Sequence, residues 1–99
     1  MTTEQEFATA LREAIQQMRG LGYSPQRFEK MLNDVGAVNT ARKLIKSGEL
    51  QDGLKSLLQK GRADLTLEHI MQLDPYRQLF SAAELAAADW RLQQAMQAK

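Results

Sequence analysis

The stretch Leu65–Leu85, LTLEHIMQLDPYRQLFSAAEL, decides the fold class. It holds two helix starts and a break within twenty-one positions. Thr66 suits a helix N-cap ahead of Leu67, Ile70, Met71 and Leu73, which recur at helical spacing. Asp74-Pro75 ends that helix, because the residue before a proline is pushed out of the helical region. Proline then suits the first turn of a short helix, PYRQLF. Ser81 and Glu84 form an S-x-x-E capping box, which opens a last helix running from Ala82 toward Gln97. Its alanines and glutamines favour helix intrinsically. Leu67, Ile70, Leu73, Leu79 and Phe80 are the expected core residues of the stretch.

The same signals extend toward the N-terminus. Phe7, Leu11, Ala14, Ile15 and Met18 form one helical stripe, capped by Thr2 or Thr3, with Glu4 and Glu6 near its positive end. Gly20 and Gly22 end it, and Ser24-Pro25 reads as a cap plus a first-turn proline. Phe28, Met31, Leu32 and Val35 predict a second helix stopped by Gly36. Val38, Ala41, Leu44 and Ile45 predict a third, closed at Ser47-Gly48, and Leu50, Leu54, Leu57 and Leu58 a fourth, ended at Gly61. The expected architecture is all-α: a compact bundle of six or seven helices, several short, with the first and last longest. Those two are expected to pack on the short central helices, antiparallel to each other.

Composition fits this picture and narrows the chemistry. Ninety-nine residues suit one domain, 1–99, and a chain 43% apolar and 25% charged is of globular type. With no cysteine there is no disulfide or thiolate metal site. No window reaches the ~18 apolar residues of a membrane span, and the N-terminus lacks the basic start and apolar run of a secretion signal. A cytoplasmic protein is the expectation.

His69 is the one histidine, so neither a histidine pair nor an H-E-x-x-H zinc pattern exists. Asp64 and Glu68 are four apart and share a helix face, whereas His69 points about 100° away. A solvated or capping histidine is the simpler reading. Ser24, Ser47, Ser56 and Ser81 lie outside any G-x-S-x-G elbow, and the Gly20–Gly22 pair lacks the third glycine of a dinucleotide loop. The expectation is a non-enzyme with no catalytic residue, no metal and no cofactor.

Two binding readings remain. The net charge is +1, but residues 42–62 carry Arg42, Lys43, Lys46, Lys55, Lys60 and Arg62 against Glu49 and Asp52, a local +4. Two short helices around Gly48 there resemble a helix-turn-helix. Leu44 is large for the tight helix crossing, however, and Gly53 weakens the would-be recognition helix. A weak nucleic-acid contact through those six cations is one reading. The other concerns Trp90. Leu85, Leu92 and Met96 mark one stripe of the last helix, and Trp90 shares a second with Ala83, Ala86 and Ala87. Two apolar faces exceed what a peripheral helix needs. Either the first helix or the Tyr76–Phe80 segment covers Trp90, or it anchors a protein partner or a second copy.

Three segments, GYSPQRFEKMLNDVGAVNTARKLI, DGLKSLLQKGRADLTLEHI and LFSAAELAAADWRL, together resemble a poorly characterised all-helical bacterial domain. That domain stands alone or is appended to nuclease and restriction-type proteins. The resemblance spans about residues 22–92, and its most distinctive part is GRADLTLEHIMQ followed by LF and EL. It implies an accessory role in a nuclease or phage-defence system, and it assigns no catalytic residue. The leading expectation is therefore a non-enzymatic protein-interaction module.

Overall fold

The structure, a computed structural model, describes residues 2–46 and 52–97. Six α-helices and two 3-10 turns make up its elements, and no strand occurs among the described residues. They are α1 (Thr3–Gly20), α2 (Gln26–Val35), α3 (Ala37–Ile45), α4 (Asp52–Gln59), α5 (Leu67–Met71) and α6 (Ala82–Gln97). The 3-10 turns are Ala63–Leu65 and Tyr76–Leu79. The first and last helices are the longest, at 18 and 16 residues. The expected ends Ser47-Gly48 and Leu50 lie outside the described residues.

Each helix start has a local cause. Thr2 caps α1 through a reciprocal box: its hydroxyl accepts the Gln5 N–H at 3.2 Å, and the Gln5 side chain accepts the Thr2 N–H at 2.9 Å. Two otherwise unpaired donors are satisfied together. The Thr66 hydroxyl accepts the His69 N–H at 3.2 Å and donates to the Ala63 carbonyl at 2.7 Å, which ties α5 to the preceding turn. At α6, the Ser81 hydroxyl accepts the Glu84 N–H at 3.1 Å while the Glu84 carboxylate accepts the Ser81 N–H at 2.8 Å. Ser24 departs from expectation. The cap of α2 falls on Pro25 with no side-chain hydrogen bond, and the Ser24 carbonyl, rather than its hydroxyl, accepts the Gln26 N–H.

Gly36 joins two helices single-handed. Its N–H donates to the Leu32 carbonyl to end α2, and its own carbonyl accepts the Thr40 N–H to begin α3. This requires φ +89° and ψ 167°, a region essentially reserved for glycine.

The core forms where α1 meets the later elements. Phe7, Leu11, Ala14, Ile15 and Met18 are all buried. Phe7 sits between two rings from the far end of the chain. Its centroid is 5.5 Å from both Tyr76 (tilted 43°) and Phe80 (near edge-on, 75°). Such geometries suit the ring quadrupoles. The turn Tyr76–Leu79 thereby closes over the first half of α1, leaving Leu73 42% exposed rather than in the expected core. The two long helices do pack on the short central elements, but each has its main partners there. α1 lies chiefly on α2, α3, α5 and the two 3-10 turns, and α6 lies on α3, α4 and α5.

An ion pair lies inside this apolar packing. The Arg91 Nε of α6 donates to a Glu68 carboxylate oxygen of α5 at 2.8 Å, and the two side chains are only 2% and 6% exposed. A charge taken from water is tolerated when its counter-charge is hydrogen-bonded to it, and removal of one partner strands the other. Glu68→Leu is expected to lower the unfolding free energy by about 3–5 kcal/mol, a large share of the ~5–15 kcal/mol typical of a domain. Urea denaturation measures this. A loss below about 1 kcal/mol, the size of an exposed pair, would contradict it.

Candidate functional site

The rotation of α6 settles what the chain presents to its surroundings. Ala88, Arg91 and Ala95 are its buried residues, with Glu84 partly buried one turn earlier. The inward line therefore reads Glu84, Ala88, Arg91, Ala95, a helical spacing with no large apolar residue in it. Leu85 and Leu92 flank this line half-buried, and Met96 beside them is 54% exposed. The Leu85, Leu92 and Met96 stripe is thus a shoulder of the buried face.

Two ion pairs hold that rotation. Arg91 meets Glu68 at one level, as described. At the helix start, Glu84 accepts from the Arg42 Nε of α3 at 2.9 Å, and the same guanidinium reaches the Leu79 carbonyl at 3.4 Å. Glu84 accordingly closes its own capping box and bridges α6 to α3. The Ser81 N–H, then the Arg42 guanidinium, hold its carboxyl below the ordinary glutamate value against a partial opposing effect of burial.

Trp90 falls on the other side of the helix. At 100° per residue it points roughly 130° from the centre of the buried line, and it is 54% exposed. With more than half of its surface in solvent, Trp90 is buried by neither the first helix nor the Tyr76–Phe80 segment, whose rings Tyr76 and Phe80 pack on Phe7. The structure brings Trp90 together with Ala83 and Ala86, both exposed, on this outer face. Ala87 lies at its margin, half-buried against the core.

The six cations of residues 42–62 divide differently. Arg42 is paired with Glu84, and Arg62 binds Asp64 through two nitrogens at 3.1 and 3.2 Å and Gln17 at 2.9 Å. Asp64 is held below the usual aspartate range, chiefly by that hydrogen bond from Arg62, and the Arg62 guanidinium is correspondingly raised. Lys43, Lys46 and Lys60 are exposed and Lys55 is half-buried. α3 and α4 have different main partners: α1, α2, α5 and α6 for the former, α6 and the turn Ala63–Leu65 for the latter. The turn around Gly48 that would join them as a helix-turn-helix lies outside the described residues.

Asp64, Glu68 and His69 are each engaged in local structure. Asp64 sits in a 3-10 turn on Arg62, Glu68 is buried on Arg91, and the His69 backbone serves the Thr66 cap. No group of three potential metal ligands exists among the described residues. An open depression of about 380 Å³ lies between α1 and the Pro75–Tyr76 corner, lined by Glu6, Thr9, Ala10, Glu13, Pro75 and Tyr76. It holds two carboxylates but no imidazole or amine to pair with them. Among the described residues no helix is long and apolar enough to cross a membrane.

Sequence reasoning singled out Trp90 and its alanines and missed Glu68 and Arg91 as partners. They stand 23 positions apart with no local signal linking them. No family model, curated protein or solved structure matches this chain.

The Glu84 arrangement has a pH signature. A carboxyl whose folded pKa is depressed stabilises the fold above its unfolded pKa, near 4.3, and loses that contribution as pH falls through the folded value. Glu84→Gln should therefore lower the melting temperature at pH 7, with a narrower gap from wild type at about pH 3. A gap of equal size at both pH values would contradict this role of the charge.

Proposed function

We propose that the chain is a non-enzymatic docking module, and that the outer face of α6, Trp90 with Ala83 and Ala86 and with Ala87 at its edge, seats on a protein surface. The supporting observation is the 54% exposure of Trp90 on a helix whose inner face is already fully engaged. Tryptophan supplies large contact area with few rotatable bonds and is enriched among residues that dominate protein interfaces. Alanines around it let another backbone approach closely. The resemblance in residues 22–92 suggests the setting, an accessory to a nuclease or phage-defence system.

The nucleic-acid reading has less support. Two of its six cations are committed to Asp64 and Glu84, and of the other four only Lys43 and Lys55 lie on α3 and α4, each of which packs mainly on other elements among the described residues.

Affinity capture with wild type and with Trp90→Ala, each with and without nuclease treatment, tests the proposal. Bound proteins are expected to survive nuclease and to be lost with Trp90→Ala, whose unfolding free energy stays within about 0.5 kcal/mol of wild type because the side chain is a surface one. Captured material that disappears on nuclease treatment, and depends on Lys43 and Lys46 rather than on Trp90, would instead favour the nucleic-acid reading. Destabilisation of Trp90→Ala by several kcal/mol would return the residue to the core.

A further inference from the structure

We propose that the occupant of the α6 outer face is a second copy of this chain, with the two α6 helices crossing antiparallel about a twofold axis. This rests on the docking reading above and names its partner.

The first argument is charge. α6 contains three charged residues: Glu84 is tied to Arg42, Arg91 is buried on Glu68, and Asp89 lies to one side of the outer face. Ala83, Ala86, Trp90, Gln93 and Gln97, all exposed, carry no charge. A partner recognised through charge would find no complement there. A copy of the same face meets no charge at its centre, and the two Asp89 side chains share one solvent-exposed edge of the pair.

The second argument is the placement of bulk. Ala83, Ala86, Trp90 and Gln93 fall within an arc of roughly 80° at 100° per residue. Their spacing is 3, 4, 3, which reads the same in both directions. A twofold axis crossing the helix at the level of position 88 therefore maps the set onto itself. It brings Trp90 of each copy over Ala86 of the other, and Gln93 over Ala83. Each large side chain meets a small one, the self-complementarity that an isologous interface requires. A parallel pairing in register would set Trp90 against Trp90 and alanine against alanine, filling one level and leaving the others empty.

Sedimentation equilibrium on the full chain from about 10 μM to 1 mM, with circular dichroism confirming equal helix content, provides the test. Wild type is expected to shift from monomer to dimer within this range, as for an interface at the small end of the specific class. Trp90→Ala should weaken dimerisation at least tenfold. The exchanged variant Ala86→Trp/Trp90→Ala moves the bulk to position 86 and the space to position 90. About the same axis it restores both contacts, and its dissociation constant is expected within about threefold of wild type. A wild type that stays monomeric at 1 mM overturns the inference. So does dimerisation undiminished by Trp90→Ala, which would place the interface elsewhere. Loss in Trp90→Ala without recovery in the exchanged variant overturns the antiparallel register. If wild type stays monomeric while a nuclease-resistant partner is still lost with Trp90→Ala, the second copy is refuted and the docking face stands.

Discussion

The Glu68–Arg91 ion pair decides how the last helix lies, and the presentation of Trp90 follows from it. A carboxylate and a guanidinium meet at 2.8 Å in the interior of a ninety-nine-residue chain. Such a pair adds little net stability compared with apolar residues of equal volume, but it has strong geometric demands. An isolated apolar stripe tolerates small rotations of its helix. A buried guanidinium does not, because turning it away from its carboxylate leaves two unpaired charges out of water. Here that demand falls on α6, a helix with apolar side chains on more than one side.

α6 would otherwise be ambiguous. Its leucines lie on one shoulder, Trp90 with its alanines on the opposite side, and only small or charged residues lie between the shoulder and the core. Hydrophobic burial alone favours turning Trp90 inward, since a tryptophan exceeds any other α6 side chain in apolar area. Arg91 opposes that rotation from the middle of the helix, and Glu84, held by Arg42 and the Ser81 N–H, opposes it from the start. Two polar anchors about two turns apart therefore keep an aromatic residue in water. An exposed aromatic with anchors behind it fits a docking role better than an incidental surface residue does.

Much of the fold was legible in the amino-acid order because its causes are local. The Ser81/Glu84 box, the Thr66 cap, Gly36 between α2 and α3, and the Phe7–Met18 stripe depend on spacings of a few residues. The inner face of α6 was not legible. Beyond Glu84 in its capping box, nothing in the sequence marked Glu84, Ala88, Arg91 and Ala95 as one line, and only α5 and α3, distant in sequence, supply the partners that let the two charged ones point inward. Leu73 failed for a related reason. Its helical spacing continued past the real end of α5 at Met71, and the chain had already begun its corner toward Pro75. For Trp90 the order left two outcomes open, since either stripe of α6 satisfied the same periodicity. The basic segment looked more uniform in one dimension than in three, where Arg42 and Arg62 serve as structural ties.

The central claim is that buried charge, not apolar area, sets the rotation of α6. Acrylamide quenching of the single tryptophan tests it most directly, comparing dilute wild type with a folded Glu68→Leu/Arg91→Leu double variant. In wild type, Trp90 is expected to quench as one freely accessible population with emission characteristic of water. In the double variant, with both charges replaced by apolar side chains, part of the population should become shielded and emit at shorter wavelength. Identical quenching in the two proteins at equal helix content would show that the ion pair does not hold the helix, and would contradict the account.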